Sequence, residues 1–156
     1  MIVIADTSPI NYLVLIEHAD VLQALYGRIL IPHAVHDELL SPKAPLAVRK
    51  WALNLPGCVE LLSPSTALQS SIPKLDRGET EAIALAEEMN ADWLLIDEAA
   101  GRNEAIRRGL RTIGTLGILR DAHRAGLLDL HMAVTRLQLT GFHVCQSFID
   151  DLLKSI

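Results

Sequence analysis

Asp6 and Asp97 stand in matching surroundings. Asp6 ends the run Ile2-Val3-Ile4-Ala5, and Asp97 ends the run Trp93-Leu94-Leu95-Ile96. A short, continuous apolar run closed by polar and turn-forming residues reads as a strand buried on both faces of a parallel sheet. Open α/β sheets bind their ligands outside the carboxyl ends of such strands. If the two strands are adjacent and parallel, both carboxylates emerge on one edge. Carboxylates that close repel each other unless a cation lies between them, and hard oxygen donors suit Mg²⁺ or Mn²⁺. One aspartate at a strand end also fits a plain helix cap, but two in one small domain point to a metal site.

The other acids say less on their own. Glu38 falls on the helix expected after the second strand, where a solvated position accounts for it. Glu79 and Glu81 fall in the first turn of a helix opening near Gly78, where acids favour the helix dipole and need no further role. The net charge of −5 argues against a general nucleic-acid binder. The charge is unevenly spread: residues 1–98 hold 6 basic and 14 acidic side chains, and residues 99–156 hold 8 basic and 5 acidic. The basic part is mostly arginine (Arg102, Arg107, Arg108, Arg111, Arg120, Arg124 and Arg136). Arginine suits two-pronged phosphate contacts, and a solvated helix face is the alternative. The six histidines are scattered. His33 and His36 share a helical spacing but lack the further ligands zinc needs. Cys58 and Cys145 are isolated and are expected as buried free thiols.

These side chains need a frame. With 156 residues, 50% of them hydrophobic, the chain is long and apolar enough for one domain with a real core, spanning 1–156. No apolar run reaches the ~18 residues of a membrane span. The N-terminus lacks the features of a signal peptide, so a cytoplasmic chain is expected. Strands are expected over 2–5, 28–31, 59–62, 93–96 and 111–113. The first helix is expected around Pro9 with Thr7 or Ser8 as cap, and a second from Asp20 to Leu25, stopped by Gly27. Further helices are expected over 33–41, 46–54, 79–89, 99–108, 115–125, 129–140 and 146–155. Residues 63–75 read as irregular in part. Strands alternate with helices, and the crossovers are long enough for parallel pairing. The fold class is α/β: a three-layer α/β/α sandwich with a central, mostly parallel sheet of four to five strands.

Four acidic blocks then carry a resemblance. They are Val3-Ile4-Ala5-Asp6-Thr7-Ser8-Pro9, Val35-His36-Asp37-Glu38-Leu39, Leu75-Asp76-Arg77-Gly78-Glu79-Thr80-Glu81-Ala82 and Leu94-Leu95-Ile96-Asp97-Glu98. In order and spacing the chain resembles PIN-domain proteins, the small Mg²⁺-dependent nuclease fold of bacterial VapC-like toxins and related RNA-processing factors. Gly101-Arg102, the run 109–119 and Gly141-Phe142-His143 resemble one uncharacterised prokaryotic branch of that family. The Gly-Glu-x-Glu-Ala run is also similar to the acidic helix start of flap-type nucleases. By this resemblance Asp6, Glu38, Glu79 and Asp97 match the metal-binding, catalytic acids. Glu81 is a second candidate on the turn of Glu79, because the family usually has Asp there and the longer Glu leaves both open. Ser8, with Thr7 beside it, matches a small polar position that supports the site.

The resemblance implies an endoribonuclease that uses Mg²⁺ or Mn²⁺ to hydrolyse phosphodiester bonds of RNA. Arg102, Arg107, Arg108 and Arg111 are then candidate RNA contacts. A toxin role implies a small antitoxin partner. A homodimer is expected from the family and from apolar residues of the N-terminal helices (Leu13, Leu15, Val21, Leu22 and Leu25), which exceed the needs of one helix face. Two other readings compete. A Mg²⁺-dependent phosphotransfer domain of the dehalogenase or receiver type wants a late Lys, and residues 99–156 offer only Lys154. The dehalogenase pattern also wants Asp where Ser8 stands. A catalytically silent PIN-like binding or regulatory protein keeps the fold without turnover.

Overall fold

The computed structural model describes residues 1–65 and 74–156. In chain order the described elements are β1 (Val3–Ala5), α1 (Thr7–Leu15), α2 (Val21–Tyr26), β2 (Ile29–Ile31), α3 (His33–Leu39), α4 (Leu46–Leu53) and β3 (Val59–Leu61). They continue with α5 (Arg77–Met89), β4 (Trp93–Leu95), α6 (Ala99–Arg107), β5 (Thr112–Ile113), α7 (Thr115–Arg124), α8 (Leu130–Gln138) and α9 (Gln146–Lys154). The five strands form one parallel sheet in the order β3-β2-β1-β4-β5. Part of the stretch expected to be irregular, residues 66–73, lies outside the described residues.

Successive side chains of a strand point to opposite faces, and here both faces are buried. Val3, Ala5, Ile29, Ile31 and Leu95 join the larger core with side chains of α1, α2, α7 and α8. Ile4, Leu30, Leu94 and Ile96 join the smaller core with Ala82, Ile83 and Leu85 of α5 and Ala105 of α6. This two-sided burial is why the strands are uniformly apolar rather than alternating. It also gives the sheet two helical layers, with β1 the central strand and β4 beside it.

The structure alters several sequence expectations. The first helix begins at Thr7, and Asp6 is its N-cap residue in extended conformation (φ −82°, ψ 174°) without a side-chain cap bond. The strand thus turns into the helix one residue earlier than a Thr7 or Ser8 cap requires. The apolar surplus of the N-terminal helices is used inside the chain. Leu13, Val21 and Leu22 are buried, and Leu15 and Leu25 pack against the same core. Because α1 touches α3, α4 and α7, more than one of its faces is covered, so these residues give no ground for a dimer. The cysteines are not buried as expected: Cys58 is half-buried and Cys145 is exposed. Among the described residues no helix is long and apolar enough to cross a membrane.

Candidate functional site

Strand register places the two aspartates. β1 and β4 pair in parallel with Ala5 opposite Leu95, and the Asp6 amide donates to the Leu95 carbonyl at 2.9 Å. Asp6 and Asp97 therefore leave the sheet at the same, carboxyl edge. Asp6 is only 2% exposed. Among the described residues its Oδ1 accepts no hydrogen bond. Burial is the main force that pushes its carboxyl up to about 7, opposed by the Thr7 amide and reinforced by the charges of Asp76, Glu38 and Asp97. A buried carboxylate with an idle oxygen opposes folding, so it marks a functional candidate.

Three helix N-termini converge on this edge and hold the neighbouring acids. Glu38, near the end of α3, bridges the starts of α1 and α5. Its Oε2 accepts from the Thr7 hydroxyl, and its Oε1 accepts from the Gly78 amide at 3.1 Å. Asp97 caps α7 from outside: the Thr115 amide and hydroxyl each donate to its carboxylate at 2.7 Å. Helix N-termini favour negative charge, yet burial still holds both carboxyls above their ordinary range. Glu79, 7% exposed, is pushed up to about 8 by burial, then by its side-chain contact with Asp76 and the charges of Asp76, Asp6 and Glu98.

The neighbouring Glu81 takes the other role on that turn. Its Oε2 pairs with Arg77 Nε at 2.8 Å, and Arg77 also lies 3.6 Å from Asp37. Glu79 is therefore the inner of the two acids, and Glu81 is not brought into the cluster. Thr7 supports Glu38 directly. Ser8 is half-buried and makes no side-chain hydrogen bond among the described residues. The histidines hold separate structural contacts: His33 meets Ser63 Oγ at 2.6 Å, and His36 meets the Ala52 carbonyl at 2.9 Å.

Of the four candidate arginines only Arg102 faces the acids, where its charge draws the Asp97 carboxyl downward against burial. Arg107 and Arg108 are engaged with Glu104 at 2.6 and 2.8 Å, and Arg108 also pairs with Glu87 at 2.5 Å. Arg111 lies over the Trp93 ring, 4.7 Å from its centroid. Among the described residues the four candidate RNA contacts thus form no continuous positive track. Two residues that sequence reasoning passed over enter the cluster. Asp76, the N-cap of α5, accepts from the Glu79 amide at 2.8 Å, and Glu98 is the N-cap residue of α6. Asp76 opens the same acidic block as Glu79, and its cap position was the available signal.

Glycines make the space for these carboxylates. A Cβ on Gly78 would lie 2.8 Å from Glu38 Oε2, one on Gly101 2.8 Å from Glu79 Oε2, and one on Gly114 2.9 Å from Asp97 Oδ1. Three of the four acids therefore sit where a larger neighbour would push them out. This donor set fits a hard divalent cation in chemistry and charge: all oxygen, under-compensated, with an idle atom on Asp6. It is not a closed cage as it stands. Among the described residues no three His, Cys, Asp or Glu side chains are grouped tightly enough to hold one ion, and Glu38 and Asp97 are turned onto protein donors.

A parallel five-stranded sheet between two helical layers, with acids from four segments gathered at its carboxyl edge, is the PIN type of α/β fold. The chain belongs to the PIN-domain family: the family model DUF3368, a PIN domain, matches residues 2–156. Among solved structures the chain is similar to a PilT N-terminus domain protein, SSO1118, from the hyperthermophilic archaeon Sulfolobus solfataricus P2. The TM-score is 0.54 at 16% identity, covering 94% of this chain and 99% of that one. At that identity the likeness concerns the fold alone. No curated protein matches the sequence.

Proposed function

We propose that the chain is a divalent-metal-dependent endoribonuclease whose site is formed by Asp6, Glu38, Glu79 and Asp97. The observation that carries this reading is that four acids from separate segments meet at one sheet edge, each with its carboxyl raised by burial. Asp6, Glu79 and Asp97, with Glu38 beside them, would hold Mg²⁺ or Mn²⁺. Bound there, the ion supplies Lewis acidity, which offsets the charge of a phosphodiester and makes hydroxide available from water near neutral pH. The chain's own residues do the positioning. Thr7 and the Gly78 amide orient Glu38, Thr115 orients Asp97, and the glycines keep the carboxylates close. Arg102, whose charge acts on Asp97, would hold a substrate phosphate. Water adds to phosphorus, the bond to the 3′-oxygen breaks, and that oxygen takes a proton, leaving a 3′-hydroxyl and a 5′-phosphate. No residue need form a covalent intermediate.

A toxin role with a small antitoxin over the acids, and a homodimer in the cytoplasm, belong to the same reading and are supported by the resemblance to VapC-like proteins. One observation favours the second reading, a silent PIN-like binding protein: both carboxylate oxygens of Glu38 and of Asp97 already accept from the protein. The test is incubation of the purified chain with single-stranded RNA and Mn²⁺ beside an Asp6→Asn control. Cleavage by the wild type alone is the expected result. Equal cleavage by both marks a contaminant and removes the hydrolase reading. Cleavage by neither, with a partner protein bound by both, favours the silent one.

A further inference from the structure

A cavity of about 730 Å³ opens beside Asp97, a size within the about 300–1,000 Å³ of pockets that enclose a small ligand. Its two sides differ in chemistry. Arg102 of α6 and Arg120 of α7 line it next to Asp97, and Tyr12 of α1, Phe142 from the segment before α9, and Phe148 of α9 supply aromatic surface. The chain has two Phe and two Tyr, so both phenylalanines and one tyrosine are drawn to this one place. Tyr12 and Phe142 meet edge to face, with centroids 4.9 Å apart and planes at 88°. Phe148 remains 52% exposed, with nothing in the core that requires it.

The arginines are available. Among the described residues Arg102 forms no ion pair, in contrast to Arg77, Arg107 and Arg108. Arg120 pairs only with its chain neighbour Asp121, at 3.1 Å, both side chains about one third exposed. A partly exposed pair of that kind is weak and yields readily to a phosphate. Aromatic faces and two guanidinium groups in one cavity suit a ligand with a flat apolar ring at one end and a phosphate at the other.

We infer that this cavity takes one unpaired nucleotide of a polynucleotide strand, next to the phosphate at the acids. The base lies on the aromatic surface of Tyr12, Phe142 and Phe148, and the adjoining phosphate lies on Arg102 and Arg120. A base within a duplex keeps both faces stacked and does not enter, so the cavity selects single strands. The inference rests on the hydrolase reading for the role of the neighbouring acids, and on the cavity itself for the ligand.

The test is fluorescence anisotropy of a labelled single-stranded oligoribonucleotide, and of its duplex, with the full chain in EDTA so that no cleavage intervenes. Stacking on an aromatic side chain is worth about 1–3 kcal/mol per base. Phe148→Ala is therefore expected to weaken single-strand binding about tenfold or more, and Arg120→Gln to weaken it several-fold. Arg124→Gln removes the same charge from the same helix outside the cavity, at an exposed position, and is expected to bind like wild type. The duplex is expected to bind far more weakly than the single strand. Unchanged affinity in both Phe148→Ala and Arg120→Gln, or a duplex bound as tightly as a single strand, overturns the inference. Cleavage with Mn²⁺ is scored separately. Normal cleavage with unchanged binding in both variants removes the subsite and keeps the hydrolase. Binding through these residues without cleavage keeps the subsite and removes the hydrolase.

Discussion

Two clusters of charge border α5 and α6, and they are built in opposite ways. Between the two helices Glu87 and Glu104 meet Arg107 and Arg108 at 2.5 to 2.8 Å, and the arginines hold the Glu104 carboxyl down at about 2. At the carboxyl edge of the sheet, Asp6 and Glu79 are pushed up to about 7 and about 8, although the charges of Arg102 and Arg77 draw the Asp97 and Glu38 carboxyls downward. The first cluster lies at the surface, half-buried at Glu104 and Arg108, and its charges are matched. The second is buried and mismatched, which opposes folding unless a ligand compensates it. Density of charge along the sequence does not separate the two. Partner and burial do.

The largest expected contrast is in catalysis. Asp6→Asn is expected to lower Mn²⁺-dependent RNA cleavage by more than about a hundredfold, since even outer partners of a metal site cost about 10–100-fold when lost. Glu104→Gln is expected to leave the rate within about twofold. Initial rates on one labelled RNA decide it, and equal losses would erase the distinction between the clusters.

A smaller contrast separates two glycines. Gly114→Ala is expected to cost about 10–100-fold in rate with the far-ultraviolet spectrum unchanged, because its Cβ would meet Asp97 Oδ1 at 2.9 Å. Gly109 follows the matched cluster at φ +80° with nothing near its Cβ. Gly109→Ala is expected to cost about 1 kcal/mol of stability and no activity. A chemical-denaturation curve beside the rate assay checks both.

The arginines differ less. Arg102→Gln is expected to raise KM several-fold, whereas Arg107→Gln, whose partner is Glu104, is expected to leave KM unchanged. Steady-state kinetics at fixed salt shows the difference.

The smallest effect is on thermal stability, and the two clusters work in opposite directions. An acid whose pKa is higher in the folded chain than in the unfolded one contributes stability that is present at low pH and lost as pH rises through the folded value. Asp6, raised from 3.8 to about 7, and Glu79, raised from 4.5 to about 8, therefore lower the Tm of the metal-free chain between about pH 4 and 8. Glu104, lowered from 4.5 to about 2, contributes stability above about 4.5 that is lost as pH falls toward 2. Asp6→Asn is expected to flatten the decline between about pH 4 and 7, and Mn²⁺ to raise Tm more at pH 8 than at pH 5. Differential scanning fluorimetry across pH measures both, and a Tm that rises from pH 5 to 8 without metal contradicts the assigned shifts.

The strands and the edge they share were legible because parallel, doubly buried strands leave continuous apolar runs, and Asp6 and Asp97 end two of them. Block order alone was enough to single out Asp6, Glu38, Glu79 and Asp97 as candidates. What the sequence hides is contact. Whether Glu79 or Glu81 turns inward depended on Arg77, four residues before Glu81, which takes its carboxylate at 2.8 Å. Arg107, Arg108 and Arg111 read as phosphate ligands because their partners Glu87, Glu104 and Trp93 come from other elements or other turns. Leu13 and Val21 read as surplus because α1 and α2 lie beneath further helices, which no single-helix pattern reveals. Asp76 was legible as a helix cap, but its contact with Glu79 was not.

The central claim is that the mismatched cluster, and not the matched one, takes a divalent cation. Anomalous diffraction from crystals soaked in Mn²⁺ tests it directly. The expected result is a peak about 2.0–2.3 Å from carboxylate oxygens of Asp6 and Asp97, with Glu79 or Glu38 completing the site. A peak at Glu87 and Glu104, or none at the carboxyl edge under saturating Mn²⁺, contradicts it.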